Sequence, residues 1–376
     1  MGFLTIIYRN VLRRRVRSLL TVLGVALAIA AVVALLGVTS GFTQSLLAMY
    51  QNRGVDLVVV RAGVADRLTS TLSEPIGKRI AELPHVKAVA ASLTELDTMP
   101  IRGWNADSFA FDSLQLNSGR KLQADDTTSV LLGVGLANEQ GKKVGDMFQV
   151  GTHDFKVVGI FDAKSHIENA AAVMLLPSLQ KLMGRPDQVT EFQIAVEDIP
   201  GEDKAVVVQE LRKKIEALSD ESGKLLRLAA QPTQDFVSSN TQLRLAQGMA
   251  WMTSAIALVI GGVGILNTMI MSVLERTQEI GVLRAIGWRK QRIMKLIVGE
   301  SLLLTLCGAI AGTVIAIGLT TLLTRLSLVP GMVQGDFSPR VLLTGLLMAL
   351  GVGLFGGLYP AWRGATLPPT EALRYE

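Results

Sequence analysis

The chain offers little from which covalent chemistry could be assembled. It contains no Gly-x-Ser-x-Gly elbow, no His-Glu-x-x-His pair and no Cys/His pair. Cys307 is the single cysteine, and His85, His153 and His166 are scattered without metal-ligand spacing. Catalytic, metal-binding and cofactor-binding residues are therefore expected to be none. The patterned chemistry lies in Glu275-Arg276-Thr277-Gln278-Glu279-Ile280-Gly281-Val282-Leu283-Arg284-Ala285-Ile286-Gly287, and it is the chemistry of recognition. Glu275 and Glu279 stand where a helix start favours negative charge, and Arg284 where a helix end favours positive charge. Ile280, Leu283 and Ile286 recur at a spacing that gathers them on one face. Gly287 offers a stop, followed by Arg289, Lys290, Arg292 and Lys295. The spacing predicts a capped amphipathic helix that presents Ile280, Leu283 and Ile286 to a partner, with Glu279 and Arg284 orienting the contact.

That segment lies between long apolar runs. The 376 residues are 49% hydrophobic and 18% charged, with mean hydropathy +0.39, a membrane protein's composition with a sizeable polar part. Leu19–Thr39, Ala250–Leu274, Leu296–Thr324 and Val341–Pro360 are each long enough to cross a hydrocarbon core of about 30 Å. The first run exceeds the apolar core of a cleaved signal peptide and is expected to be a retained span. Arg9, Arg13, Arg14, Arg15 and Arg17 precede it, and six more basic residues lie in 275–295, against Arg325 and Arg340 between the last two spans. Positive-inside sorting then places both termini and the 275–295 loop in the cytoplasm and the large 55–231 segment outside. It also accounts for the pI near 9.3, so no nucleic-acid partner is expected.

Within the spans, Asn267 lies two turns inside the second run. Its amide needs a partner, either across a dimer or in an adjacent span. Glu300 is expected to snorkel or to pair with a basic neighbour. Gly308 and Gly312 form a Gly-x-x-x-Gly pair, and Gly353, Gly356 and Gly357 crowd the fourth span, a transmembrane packing set. Midplane charges that would couple an ion gradient are lacking.

In the large segment, Asp56–Arg61 and Val86–Leu93 read as strands around a helix at Ser73–Leu83, with Ser73 as cap. A second β-α-β set falls at 189–197, 202–218 and 224–230, its helix burying Val206, Leu211, Ile215 and Leu218. Together they predict a ferredoxin-like sandwich. The residues between them predict an inserted lobe with a helix at Val130–Gln140, a hairpin at 147–160, a strand at Ala170–Leu176 and a helix at Pro177–Met183. The expected division is 1–18 cytoplasmic, 19–40 first span, 41–54 stalk, 55–231 extracytoplasmic α+β domain with the inserted lobe at about 118–186, and 232–249 returning stalk. It continues with 250–274 second span, 275–295 cytoplasmic coupling segment, 296–324 third span, 325–340 short outer loop, 341–360 fourth span and 361–376 cytoplasmic tail.

Three segments resemble one family. They are Gly264-Ile265-Leu266-Asn267-Thr268 continuing through Val273–Gly281 to Arg284-Ala285-Ile286-Gly287; Gly356-Gly357-Leu358-Tyr359-Pro360-Ala361 with Pro369-Thr370-Glu371-Ala372-Leu373-Arg374-Tyr375; and Lys143-Val144-Gly145-Asp146 with Phe155–Ile160. The chain resembles the MacB/LolC/FtsX-type ABC transporter permeases, in the MacB-like branch without a fused ATPase domain. The resemblance implies a permease subunit of an ATP-driven export or extraction system in a bacterial inner membrane, working by mechanotransmission. It implies a homodimer that binds a separate ABC ATPase subunit through Glu275, Arg276, Glu279, Ile280, Gly281, Leu283, Arg284, Ile286 and Gly287. No Gly-x-x-x-x-Gly-Lys-Ser/Thr loop is present, so ATP and Mg are expected on the partner ATPase. A periplasmic adaptor protein and an outer-membrane channel are further partners that such systems recruit. The alternative is an FtsX-like signalling permease that regulates a cell-wall hydrolase without transport. Neither reading names a substrate.

Overall fold

The computed structural model describes residues 15–64, 70–96, 99–220, 222–325 and 335–368. Arg9, Arg13, Arg14, Pro369–Tyr375 and most of the 325–340 loop lie outside the described residues. In chain order the elements are α1 (Arg15–Asn52), β1 (Leu57–Arg61), β2 (Leu72–Ser73), α2 (Ile76–Ala81), β3 (Val86–Leu96), β4 (Pro100–Trp104), a 3-10 turn (Phe109–Ser113), β5 (Gln115–Gly119), β6 (Ser129–Gly133) and α3 (Val134–Glu139). They continue with β7 (Met147–Val150), β8 (His153–Asp162), α4 (His166–Asn169), β9 (Ala172–Leu175), α5 (Leu176–Met183), β10 (Gln188–Val189), β11 (Glu191–Val196), α6 (Lys204–Glu216), β12 (Leu228–Pro232) and α7 (Thr233–Ser238). Four helices complete the chain: α8 (Thr241–Glu275), α9 (Thr277–Ala285), α10 (Lys290–Arg325) and α11 (Pro339–Thr366). The described residues form a helical unit (15–40, 246–325, 335–368) and an α+β unit (41–245), and α1 and α8 contribute to both.

The α+β unit is built on a ten-stranded sheet of order β12-β1-β11-β3-β4-β9-β6-β8-β5, with β7 paired to β8. Its first four strands are antiparallel to their neighbours, and in chain order they stand fourth, first, third, second, the ferredoxin-like arrangement. The apolar runs are explained by burial on both faces. Leu57 and Val59 point into the main core with Ile80, Phe192, Ile194 and Leu211, while Val58 and Val60 pack against Met49, Tyr50 and Phe236. The inserted strands join this sheet where β9 pairs parallel to β4, and β5, which pairs with β8, starts at Gln115.

Several expectations are corrected. Ser73 belongs to β2, and α2 begins after Pro75 with no side-chain cap. The Val130–Gln140 segment divides into β6 and α3, because a short buried apolar run fits a strand as well as a helix turn. Val206 is exposed; α6 buries Val207 and Val208 instead. The chain returning from β12 is interrupted between α7 and α8, where the side-chain Oδ1 of Asn240 accepts from the backbone N–H groups of Gln242 (2.9 Å) and Leu243 (3.3 Å).

In the helical unit, α1, α8, α10 and α11 are long and apolar enough to cross a membrane. Val25, Ile29 and Val33 of α1 meet Ile265, Met269 and Val273 of α8, with Ile297 and Leu304 of α10 and Ala349 of α11. Polar stitches join them: Thr21 donates to Thr268 at 3.0 Å, and Ser301 to the carbonyl of Gly353 at 2.6 Å.

Candidate functional site

The 275–287 segment is helical over α9, and its entry is held by two ion pairs. Arg17 of α1 grips Glu275 through both guanidinium nitrogens, one at 2.6 Å. The next residue, Arg276, breaks the helix (φ −114°, ψ 16°) and turns its guanidinium inward to Glu300 of α10 at 3.0 Å. Both partners of this second pair are buried, so neither charge faces hydrocarbon alone. Adjacent residues thus tie the start of α9 to α1 and α10.

The far end closes as a Schellman motif. Gly287 N–H donates to Arg284 O at 3.1 Å, and Trp288 N–H to Leu283 O at 3.0 Å. Gly287 sits at φ +97°, a conformation that side chains disfavour. Arg284 donates to the carbonyl of Trp288 at 3.1 Å, and Arg292 lies 4.2 Å over the Trp288 ring.

The apolar face of α9 points otherwise than its periodicity suggested. Ile280 is only 6% exposed and packs with Val273, Ile293 and Ile297, and Leu283 leans on the same cluster. Gly281 is buried, and Glu279 is exposed at the rim of the crevice beside Arg276 and Glu300. Ile280 and Leu283 are therefore an internal anchor, because the spans themselves offer the nearest apolar groove. Ile286 is 73% exposed, and with Gln278, Val282 and Ala285 it forms the outward face. Helical spacing places these four together; sequence alone could not say which of two apolar sets faced inward.

The small residues sit at helix crossings. A Cβ on Gly312 would come 2.4 Å from Ala26 O, and one on Gly308 2.6 Å from Val25. Gly353 and Gly357 face Thr305 and Ser301 of α10, and Gly356 faces Ile265 of α8. Asn267 is exposed on α8.

A second constellation, in the α+β unit, gave no signal in the sequence. Arg53, at the end of α1, is buried; its Nε reaches Glu168 Oε1 of α4 at 3.1 Å and its Nη1 reaches Gln193 Oε1 of β11 at 3.1 Å. Its guanidinium lies 4.4 Å over Trp104 of β4. Arg102 approaches Glu168 at 3.7 Å; burial and the Arg53 charge push its pKa down, against the pull of Glu168. These residues are distant in sequence and lack a motif, so only the fold reveals them.

The chain matches two protein families: the MacB-like periplasmic core domain over residues 18–214 and the FtsX-like permease C-terminal over residues 251–369. It is 27% identical to the macrolide export ATP-binding/permease protein MacB of Bdellovibrio bacteriovorus, over 98% of this chain and 61% of that protein. It is 28% identical to the ABC transporter permease MJ1507 of Methanocaldococcus jannaschii, over 99% and 98% of the two chains. YvrN of Bacillus subtilis, also an ABC transporter permease, is 27% identical over 98% of each. The chain thus spans 61% of the MacB relative and nearly all of the other two. The periplasmic region of MacB from Actinobacillus actinomycetemcomitans overlaps 50% of this chain and 94% of its own, at 12% identity and TM-score 0.38.

Proposed function

This chain belongs to the MacB- and FtsX-type permeases of ABC transporters, and from that membership we propose that it is the membrane subunit of an ATP-driven export or extraction system. In this reading a separate cytoplasmic ATPase binds ATP and Mg, docks on α9, and drives the outward α+β unit through the helices shared by the two units, by mechanotransmission. The termini and α9 lie in the cytoplasm of a bacterial inner-membrane protein, and two copies pair. A periplasmic adaptor and an outer-membrane channel would complete an efflux path. The observation that supports docking most is an outward face of Val282, Ala285 and Ile286 on a helix whose start is pinned by Arg17–Glu275 and Arg276–Glu300. A pinned helix passes a load to the spans, whereas a free one would swivel.

Val282→Asp and Ile286→Asp each put a charge in the centre of the proposed contact. Loss of a central apolar anchor is worth about 2 kcal/mol or more, on the order of a thirtyfold weaker complex. The expected outcome is an inserted permease that no longer co-purifies with its ATPase from membranes. Ile280→Asp is expected to lower the amount of folded permease instead, since that side chain is internal. Undiminished ATPase recovery with the Val282→Asp/Ile286→Asp double variant would place docking elsewhere.

A further inference from the structure

The α8 helix presents two opposite faces in the membrane. Ile265, Met269, Ser272 and Val273 are buried in the helical unit. On the other side, Ile256, Ile260, Val263 and Asn267 are exposed at the alternating four- and three-residue steps of a heptad seam, which continues through half-buried Ile270 to exposed Leu274. A Cβ on Gly264, beside that seam, would meet nothing within 4 Å.

Asn267 makes this face unlike the other exposed surfaces of the unit. Its amide has no hydrogen-bond partner among the described residues, and its side chain is too short to reach the membrane surface. Exposed hydroxyls on neighbouring spans avoid this problem by turning back on their own helix, as Thr321 does onto Ile317 O at 2.5 Å. An amide carries two donors and an acceptor, and lipid tails satisfy none of them. Ile310 and Val314 of α10 and Leu343 and Leu347 of α11 are exposed apolar residues that suit lipid.

We propose that this face of α8 is where two copies of the chain meet, with the two Asn267 amides hydrogen-bonded to each other. The argument for a second copy is self-complementarity. Two identical chains inserted in the same orientation are related by a two-fold along the membrane normal, which sets a seam residue opposite itself. An amide meeting its own copy finds a donor for its acceptor and an acceptor for its donor. The proposal rests on the reading of the chain as a paired permease, and it adds the surface, the register and the residue that fixes them.

The test uses the full-length permease in membranes without its ATPase, so its failure is separate from a failure of docking at α9. In a Cys307→Ser background, oxidation should give covalent dimers from Ile260→Cys and Val263→Cys, and none from Val314→Cys or Leu347→Cys. Adding Asn267→Leu should lower the yield at Val263→Cys by threefold to tenfold, within the span of interhelical hydrogen-bond strengths, while Asn267→Gln should retain it. Dimers from the α10 or α11 cysteines with none from α8 would overturn the proposal. So would capture of a different protein at Val263→Cys, or a yield indifferent to Asn267→Leu. If Asn267→Leu fails to accumulate, the cross-linking pattern of the Asn267 chain decides alone.

Discussion

The buried Arg53–Glu168 pair gives the clearest expectation for a single side chain. Removing one partner strands the other charge in the core, which costs about 3–5 kcal/mol. Glu168→Gln, which keeps the shape and drops the charge, should therefore lower the thermal midpoint of the full chain by several degrees in a fluorescence melt. At the surface, Asp126 accepts from Arg120 and from the Gln123 N–H, and these contacts hold its carboxyl well below the usual range. A depressed carboxyl stabilises the fold above its unfolded pKa of about 3.9 and loses that contribution as the pH falls through its folded value. The melting gap between the wild-type chain and Asp126→Asn should thus be constant from neutral pH to about pH 4 and close only below it. A gap that closes near pH 6 would contradict the assignment. The sequence disclosed the charges of 275–287 because their spacing is local. It could not disclose that Glu275 would meet Arg17, Arg276 would meet Glu300, or Arg53 would meet Glu168, since each pair is made by folding.

For the elements, periodicity located α2, α6, α9 and the four long helices, and erred where two solutions bury the same residues. The α9 face was ambiguous because Ile280 and Leu283 on one side and Val282 and Ile286 on the other are both apolar. At the helix crossings the close approaches make a firm prediction. Gly312→Leu sets a side chain where a Cβ already lies 2.4 Å from Ala26 O, so α1 and α10 must separate. The variant should lose folded protein in detergent, as measured by size-exclusion recovery, while Gly318→Leu, at an open position, should not.

For the whole molecule, the reading of which end faces out can be checked by labelling. Cysteines at Ser118 and Asp187 in a Cys307→Ser background should react with an impermeant reagent in intact spheroplasts, and one at Gln278 should not; the reverse would invert the topology. The strands of the two expected lobes were legible because each stretch has its own alternating runs and turn residues. That the lobes share a sheet was not, because the β4–β9 pairing joins residues that no local pattern connects. That join has a mechanical corollary. Ile101 to Trp104 run beside Ala172 to Leu175 in continuous register, so the lobes cannot part like jaws without tearing backbone hydrogen bonds. Deformation of this plate is confined to flexing and twist, which makes it a leaf spring.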